Sequence, residues 1–491
     1  MEQRRENIVM FPFMAQGHII PFLALALKIE QRENYSITFV NTPQNINKLR
    51  PSLPPNSSIR LLEIPFCSSD HGLPPDSENT DGLPYHLMIH LLEGSSSLKP
   101  SFTKLISTLI DEQNGHPPLC IVADIFLGWT VDVAHQFGIF HALFSGAGGF
   151  GLACYHSIWS NLPHRKTDSD EFLLPDFPEA GSLHLTQLTS TMAAANGTDP
   201  WSVFQGGNLP KWPSSDGLLF NTVEELDQIG LLYFRQKIGK PIWPIGPILL
   251  SIDNRDRAGK EAGITPEFCT QWLNTKPLNS VLYISFGSQN TISAKQMMQL
   301  ATAVEASGKN FIWVVRPPLG FDINSEFKAD EWLPEGFKQR MEDQNRGLLV
   351  HRWAPQVKIL SHHAISAFLS HCGWNSVLES LSQGVPMIGW AMGAEQFYNV
   401  KLLEEKIGVC VEVARGVSFE VRHGDIVEKI ELVMNGTEKG KEMRRKACEV
   451  REMIRDAVKD EDGFKGSSVT AMDEFLNAAL LMRKKKQMGA E

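Results

Sequence analysis

The sequence lacks the marks of a secreted, membrane-spanning or nucleic-acid-binding protein. Its seven cysteines include no CxxC pair, which argues against a zinc ribbon and a disulfide framework. No run of about 18 apolar residues occurs, so no transmembrane helix is expected. The 56 Asp and Glu outnumber the 46 Lys and Arg, a balance without general attraction for nucleic acid or anionic lipid. We therefore expect a soluble, cytoplasmic monomer.

What is present is the composition of a large folded protein. Hydrophobic residues make up 42% and charged residues 21% of 491 residues, which excludes wholesale disorder and leaves room for two large domains. Apolar, strand-like segments alternate with helical patterns over residues 7–144 and again over 281–413. Such alternation predicts parallel sheets covered by helices on both faces. The predicted fold class is α/β, with two doubly wound, Rossmann-like domains that bind ligands at the carboxyl ends of strands.

The domain boundaries follow from a change in composition. The stretch 241–266 begins rich in proline and becomes polar, as linkers between domains do. We expect an N-terminal domain over 1–245, a linker over 246–265 and a C-terminal domain over 266–460. The last segment, 461–491, is expected to form a helix that packs back on the N-terminal domain.

A strand–glycine–helix junction in the second half indicates an anion site. An apolar strand ends at Ser370, Gly373 allows a tight turn, and a helix begins near Asn375. A helix that starts there directs backbone N–H groups and the positive end of its dipole at a ligand, without any net positive charge. His371 could add a further donor to a phosphate.

Several residues around this junction allow two interpretations. Ser376 and Glu379 have the spacing of a capping box, a purely structural device, but they could equally bind a phosphate and sugar hydroxyls. Trp353 follows a predicted strand and is either a core residue or a platform for a flat base. Glu395 and Gln396 open a helix directly after a strand, where side chains project over the same crevice. Spacing alone does not decide among these alternatives.

The N-terminal half offers a candidate general base. His18 follows the first predicted strand, and Asp124 ends a later one. Both positions belong to the ligand-binding edge of a doubly wound sheet. An imidazole that removes a proton from a hydroxyl, with a carboxylate that fixes its tautomer, is the minimum for this chemistry. Composition does not single out one histidine among 15, so a structural role stays open at this point.

Two other patterns in the sequence could indicate different functions. The segment Gly146–Gly151 matches GxGxxG after a strand, which would suit an NAD(P)-dependent oxidoreductase, but it is not in the first strand–helix turn. The residues His351, His362, His363, His371 and Cys372 match no zinc spacing. We therefore expect no metal.

The densest motif carries a resemblance to a known family. The 44 residues from Trp353 to Gln396 open with WAPQ, contain HCGWNS and close with an acid followed by Gln. This segment resembles the donor-binding signature of plant family 1 UDP-glycosyltransferases. The Gly-His pair at 17–18, Asp124, the FGS at 286–288 and the long C-terminal helices extend the resemblance over the whole chain.

The resemblance implies a GT-B fold of two facing Rossmann-like domains, with the acceptor in the first and the UDP-sugar in the second. UDP-glucose would be a co-substrate, and neither a cofactor nor a metal is implied. By matching positions, Trp353 would stack on uracil, Ala354 and Gln356 would contact the base through backbone groups, Glu379 would hold the ribose, and Ser288, His371, Asn375 and Ser376 would bind the diphosphate. Trp374, Glu395 and Gln396 would fix the hexose, Ser145 would lie near the sugar, His18 would be the base and Asp124 its partner.

The implied reaction is an inverting transfer of a hexose, most simply glucose, to a hydroxyl of a small lipophilic plant metabolite. Flavonoids, other phenolics, terpenoids and existing glycosides all fit as acceptors. His363, Ser366 and the stretch Ala391-Met392-Gly393 depart from the usual residues of the motif, which bears on acceptor shape and on the choice of glucose. The alternatives are the oxidoreductase and a non-catalytic nucleotide-sugar-binding protein.

Overall fold

The computed structural model describes residues 5–250 and 263–488, which form two compact units. Unit 1 contains residues 5–182, 194–250 and 456–488, and unit 2 contains 183–193 and 263–455. The chain thus returns to unit 1 after completing unit 2. The segment 183–193, expected in the N-terminal domain, is grouped with unit 2.

Unit 1 is built on a parallel sheet. The strands up to residue 244 are β1 (Glu6–Phe11), β2 (Tyr35–Asn41), β3 (Arg60–Glu63), β4 (Cys120–Asp124), β5 (Phe140–Ser145), β6 (Glu171–Phe172), β7 (Leu183–His184), β8 (Gly217–Phe220) and β9 (Ile242–Pro244). Seven of them form the order β3-β2-β1-β4-β5-β8-β9, and each pair in this order is parallel. The order reverses between β1 and β4, where doubly wound sheets bind ligands.

Helices cover this sheet and connect its strands. In chain order, the helices up to residue 238 are α1 (Gln16–Glu30), α2 (Pro43–Leu49), α3 (Met88–Gly94), α4 (Lys99–Glu112), α5 (Thr130–Phe137), α6 (Gly149–Asn161), α7 (Ser190–Ala194), α8 (Pro200–Asn208) and α9 (Gln228–Ile238). Of these, α7 is grouped with unit 2 except for its last residue. Shorter 3-10 turns lie at Arg50–Ser52, Ser68–His71, Tyr85–Leu87, Ser95–Leu98, Pro163–Arg165, Pro178–Ala180, Leu185–Gln187 and Leu209–Ser214.

The first helix starts earlier than the sequence pattern predicts. Residues 15–18 were expected to form a turn, with Pro21 near the first helical position. In the structure α1 begins at Gln16, and Pro21 lies inside it. The helix tolerates the proline because the missing N–H of Pro21 removes only one intrahelical hydrogen bond, in the second turn. As a result His18 belongs to the first turn of α1.

Unit 2 repeats the same architecture. Its strands are β10 (Val281–Ser285), β11 (Asn310–Val315), β12 (Gly347–His351), β13 (Ile365–Ser370), β14 (Met387–Ala391) and β15 (Cys410–Arg415). They form a parallel sheet in the order β12-β11-β10-β13-β14-β15, the strand order of a dinucleotide-binding fold, which reverses between β10 and β13.

The helices of unit 2 follow its strands, and the chain then ends on unit 1. They are α10 (Pro266–Asn274), α11 (Ala294–Ala306), α12 (Ala329–Trp332), α13 (Phe337–Asp343), α14 (Gln356–Leu360), α15 (Trp374–Leu381), α16 (Gln396–Lys401), a π-helical turn (Leu402–Ile407), α17 (His423–Met434) and α18 (Glu438–Ala457). The hairpin β16 (Asp460–Glu461) and β17 (Phe464–Lys465) leads to the final helix, α19 (Ser467–Met488).

The core of unit 1 shows where the expected linker differs from the structure. The linker was expected to start at 246, but Ile248 and Leu250 are buried in the apolar cluster under the first sheet. The apolar residues Met472 and Phe475 of α19 belong to the same cluster. Residues 251–262 of the expected linker lie outside the described residues. None of the helices in the described ranges has the length and apolarity needed to cross a bilayer.

Candidate active site

The structure brings His18 and Asp124 into direct contact in unit 1. His18 Nδ1 lies 2.8 Å from Asp124 Oδ2, because β1 and β4 are neighbours at the reversal of the strand order. The carboxylate is 1% exposed, whereas the imidazole is 26% exposed. The other carboxylate oxygen, Oδ1, accepts a bond from the Phe126 N–H. Asp124 is therefore a fixed acceptor that favours the imidazole tautomer with its proton on Nδ1 and its lone pair on Nε2.

Aromatic rings surround this imidazole. The ring of Phe13 lies edge-on to His18 at 5.6 Å between centroids, and that of Phe126 lies at 5.3 Å. Phe204 of α8 contacts Phe126 in turn, at 6.3 Å. A partly exposed base bordered by apolar rings can take a proton from a hydroxyl on a lipophilic molecule.

The Gly146–Gly151 segment is a helix start whose N–H groups are already occupied. The buried carboxylate of Asp227 accepts bonds from the N–H groups of Gly149 and Phe150, at 2.5 and 2.9 Å. Gly230 of α9 packs so closely against this turn that a Cβ there would lie 2.0 Å from the Phe150 nitrogen. A pyrophosphate would have to displace the Asp227 side chain from these N–H groups, so the oxidoreductase interpretation is wrong at this site.

Ser145 has a local role that its predicted position near the sugar did not include. Its hydroxyl accepts a bond from the Ala147 N–H at 3.1 Å and lies 3.3 Å from the Ala147 carbonyl. The side chain is 1% exposed. It therefore stabilises the turn that follows β5, and contact with a sugar stays a prediction.

In unit 2, His371 sits in a slot made by two glycines. A Cβ on Gly287 would lie 2.6 Å from His371 Nε2, and one on Gly373 would lie 2.5 Å from it. The pKa of His371 is lowered to about 4, chiefly by burial and also by the nearby Arg316 guanidinium, while the Ser285 carbonyl opposes the shift. The imidazole is therefore neutral near pH 7, a form that can take part in hydrogen bonds but carries no charge.

The turn from β13 into α15 is fixed by side chains behind it. Ser370 Oγ accepts a bond from the Cys372 N–H at 3.1 Å, and the Asn399 amide donates to the Cys372 carbonyl at 3.0 Å. Cys372 has a φ of 58°, in the left-handed region that non-glycine residues seldom adopt. These bonds hold an unfavourable backbone conformation at the entrance to the helix.

The N-cap residue of α15 provides no capping side chain. It is Gly373, and no acid lies in the first turn of this helix. The capping-box interpretation of Ser376 and Glu379 is therefore wrong, because both lie inside the helix. An uncapped amino end with a positive dipole is what an anion-binding site requires.

Ser376 and Glu379 are instead joined to Gln356. The Gln356 amide nitrogen donates to Ser376 Oγ at 3.0 Å and to Glu379 Oε2 at 2.6 Å. Its oxygen accepts from the Tyr283 hydroxyl at 3.1 Å. This buried network ties the start of α14 to α15, so the side chain of Gln356 positions two of the predicted donor ligands. Contact of its backbone groups with the base stays a prediction.

Trp353 and Ala354 follow β12, and Ser288 follows β10. Trp353 is half-buried, while Ala354 is buried. Arg316, the residue directly after β11, donates to the Ser288 carbonyl at 2.6 Å and to the Arg352 carbonyl at 3.2 Å. Sequence reasoning missed Arg316, although a cation at the carboxyl end of a strand was a usable signal.

The sugar-binding candidates lie at the start of α15 and α16. Trp374 is buried and Asn375 half-buried in the first turn of α15. The Gln396 oxygen accepts bonds from the N–H groups of Met392 and Gly393, both at 3.0 Å, while Glu395 Oε1 accepts from Asn399 at 3.2 Å. Gln396 therefore uses its oxygen to close its own loop, and its amide nitrogen is the group that suits a sugar oxygen.

No cluster of three or more His, Cys, Asp or Glu with ligand geometry occurs among the described residues. His362 stacks on His363 at 4.3 Å, and His362 Nε2 lies 3.1 Å from Asn274 Oδ1. These two histidines therefore belong to a local surface arrangement.

Comparisons with known proteins identify relatives over nearly the whole chain. The family described as "UDP-glucoronosyl and UDP-glucosyl transferase" matches residues 243–445. The chain is 54% identical to UDP-glycosyltransferase 92A1 of Arabidopsis thaliana over 98% of each chain. It is 43% identical to crocetin glucosyltransferase 3 of Crocus sativus over 89% of this chain and 92% of that one.

A solved structure shows the same fold. The crystal structure of Glycyrrhiza uralensis UGT73P12 complexed with glycyrrhetinic acid 3-O-monoglucuronide gives a TM-score of 0.84 at 28% identity, covering 99% of this chain and 98% of that one. The two parallel-sheet units are thus those of a GT-B fold. Identity over nearly the full length supports the same conclusion as the motif. The chain belongs to the plant family 1 UDP-glycosyltransferases.

Proposed function

We propose that this glycosyltransferase moves glucose from UDP-glucose to a hydroxyl of a small lipophilic molecule, with inversion at the anomeric carbon. The observation that carries the proposal is the contact of His18 with the buried carboxylate of Asp124 at 2.8 Å. A relative named as a glucosyltransferase, crocetin glucosyltransferase 3, supports glucose as the donor sugar. The rings of Phe13 and Phe126 beside the base support a lipophilic acceptor.

In the proposed reaction, His18 Nε2 takes the proton of the acceptor hydroxyl. The acceptor oxygen forms a bond to C1 of glucose from the side opposite UDP, and the bond from C1 to the diphosphate oxygen breaks. One displacement converts the α-linked donor into a β-glucoside, as single displacements at sugars do. The proton stays on His18 until the products leave. The uncapped start of α15 and His371 would stabilise the charge that develops on the leaving diphosphate.

The donor roles that we propose are those implied by the family resemblance. We assign Trp353 to uracil, with backbone groups of Ala354 and Gln356 on the base. Glu379 would bind the ribose. The remaining assignments are Ser288, His371, Asn375 and Ser376 to the diphosphate and Trp374, Glu395 and Gln396 to the hexose. We propose that the reaction needs no metal, because backbone N–H groups of α15 supply the electrostatic stabilisation.

One assay tests the proposal directly. The purified chain is incubated with UDP-glucose and a panel of flavonoids, simple phenolics and terpenoid alcohols, with and without EDTA. We expect a glucoside by mass spectrometry, a β configuration by NMR and equal rates with the chelator. UDP binding without any product would favour the non-catalytic alternative. Loss of turnover in EDTA, restored by a divalent cation, would contradict the metal-free route.

Compartment and assembly are separate proposals. We propose a cytoplasmic location, supported by the buried free thiols of Cys120 and Cys269, which suit a reducing compartment. Fractionation of the native tissue tests it. The monomeric state stays a prediction, which light scattering of the purified chain would check.

A further inference from the structure

Arg316 occupies a central position at the ligand-binding edge of unit 2. It is the first residue after β11, and β11 lies between β12 and β10 in the sheet. The loops that follow these two neighbours carry Trp353 and Ser288. A side chain placed here can therefore reach both predicted ends of the nucleotide site.

The guanidinium makes this connection. One terminal nitrogen donates to the Ser288 carbonyl at 2.6 Å, and the other donates to the Arg352 carbonyl at 3.2 Å. Both acceptors are backbone groups, so the bonds fix the course of the main chain. The planar guanidinium directs these two donors at fixed angles, whereas the three donors of a lysine ammonium have no such planar arrangement.

The loop after β12 needs such support. Arg352 has a φ of 65°, in the left-handed region that costs a non-glycine residue of the order of 1 kcal/mol. Its carbonyl is the one held by Arg316, and the next residue is Trp353. The bond to the strained peptide holds the main chain directly before the tryptophan.

The loop after β10 is constrained in a similar way. Gly287 has a φ of +80° and packs against His371, and the next residue, Ser288, is anchored by Arg316. The positive charge of Arg316 lies near enough to His371 to lower the pKa of that imidazole. The Arg316 cation therefore acts on both loops, the one predicted to bind the diphosphate and the one that carries the predicted platform for uracil.

We propose that Arg316 is a positioning residue for the nucleotide donor, whose forked bonds fix the Ser288 and Trp353 loops relative to each other. The inference rests on the donor roles proposed above for these two loops. Its consequence is that recognition of the base and of the diphosphate depends on one side chain. That side chain holds both loops through their main-chain carbonyls.

The test compares Arg316→Lys with a matched control, Arg346→Lys. Arg346 also donates to main-chain carbonyls, those of Val304, Glu305 and Lys309, but it precedes β12 at the opposite edge of the sheet. Lysine keeps the charge and loses the fork. Binding of uridine and of UDP is measured by calorimetry, and melting temperature and kinetics with UDP-glucose by standard assays.

For Arg316→Lys we expect UDP and uridine each to bind at least about tenfold more weakly, with KM for UDP-glucose rising more than kcat falls. Arg346→Lys should retain native affinities at a similar melting temperature. Arg316→Gln serves as a second variant if the lysine variant does not fold.

Four outcomes would overturn the inference. Affinities within twofold of native for Arg316→Lys, or a loss equal to that of Arg346→Lys, would remove Arg316 from this role while leaving the proposed function intact. A drop in kcat with unchanged binding would do the same. Failure of the native chain to bind UDP would refute the proposed donor site and this inference together.

Discussion

At the scale of single residues, the carboxylate of Asp124 decides how His18 can act. It is almost fully buried, and its two oxygens are shared between the imidazole and the Phe126 N–H. With both bonds in place, the carboxylate can only accept from Nδ1, which leaves Nε2 as the basic nitrogen. Proximity alone would not select this tautomer, because a carboxylate that is free to rotate would not hold the imidazole proton on one nitrogen.

Asp124→Asn should therefore abolish most turnover without changing the fold. The amide oxygen can still accept from Phe126, which turns the amide NH2 towards His18 and places the imidazole proton on Nε2. We expect kcat to fall by about 10² to 10⁴, with the Kd for UDP unchanged in calorimetry. Asp132→Asn is the matched control, because Asp132 pairs with Lys99 and Lys211 on the surface. A kcat near native in Asp124→Asn would contradict the assignment.

At the scale of elements, the site in unit 2 depends on how closely two loops approach. Gly287 follows β10 and Gly373 precedes α15, and His371 occupies the space that a Cβ on either would take. Because β10 and β13 are paired strands, their loops necessarily meet at the same edge. The two glycines leave the space that the imidazole occupies between the loops.

Gly373→Ala tests this packing. The φ of Gly373 is −60°, which alanine adopts readily, so its effect comes from the Cβ that would lie 2.5 Å from His371 Nε2. Overpacking of this kind costs about 1–3 kcal/mol, and displacement of the imidazole should weaken UDP binding about tenfold or more. Gly424→Ala, in open space at the start of α17, should bind UDP normally. Equal affinities for the two variants would show that the slot is unimportant.

The same scale explains a wrong prediction. Ser376 and Glu379 have the spacing of a capping box, but α15 begins one residue earlier than the sequence suggested, with Gly373 as its N-cap. A capping box requires Ser at the N-cap and Glu at the third helical position. Here Ser376 is itself the third helical residue, so the two side chains bind Gln356 instead.

At the scale of the whole molecule, several histidines are held neutral. Burial lowers the pKa of His141 to about 3 and those of His156 and His371 to about 4. The unfolded chain takes up these protons near the ordinary histidine pKa of about 6.5. Acid therefore favours the unfolded state, and the stability present above pH 6.5 is lost as the pH falls towards 4.

The free energy of unfolding should accordingly fall between pH 7 and pH 5, by about 1 kcal/mol per pH unit for each such imidazole. Burial raises the pKa of Asp227 to about 7, which gives one opposing contribution. Denaturant unfolding at a series of pH values measures the slope. His141→Asn should reduce it, whereas His116→Asn at an exposed site should not. A stability independent of pH in this range would contradict the burial argument.

The local sequence determined a large part of this architecture. Apolar runs predicted nearly every central strand, because a strand buried on both faces must be continuously apolar. The residues from Trp353 to Gln396 identified the family. The ends of elements were less well predicted, as α1 shows. Pro21 suggested a later helix start, but the helix begins at Gln16, and both Gln16 and Ile19 are buried in its first turn.

The sequence by itself determined the fold class, the family and the identity of most candidate residues, because hydrophobic periodicity and short motifs are local properties. Only the tertiary structure decided which side chains meet: Asp227 with the glycine-rich turn, Gln356 with Glu379, and Arg316 with the carbonyls of Ser288 and Arg352. These partners are 23 to 78 residues apart in the sequence. Strand order in the sheet brings them together, and no local pattern encodes that order.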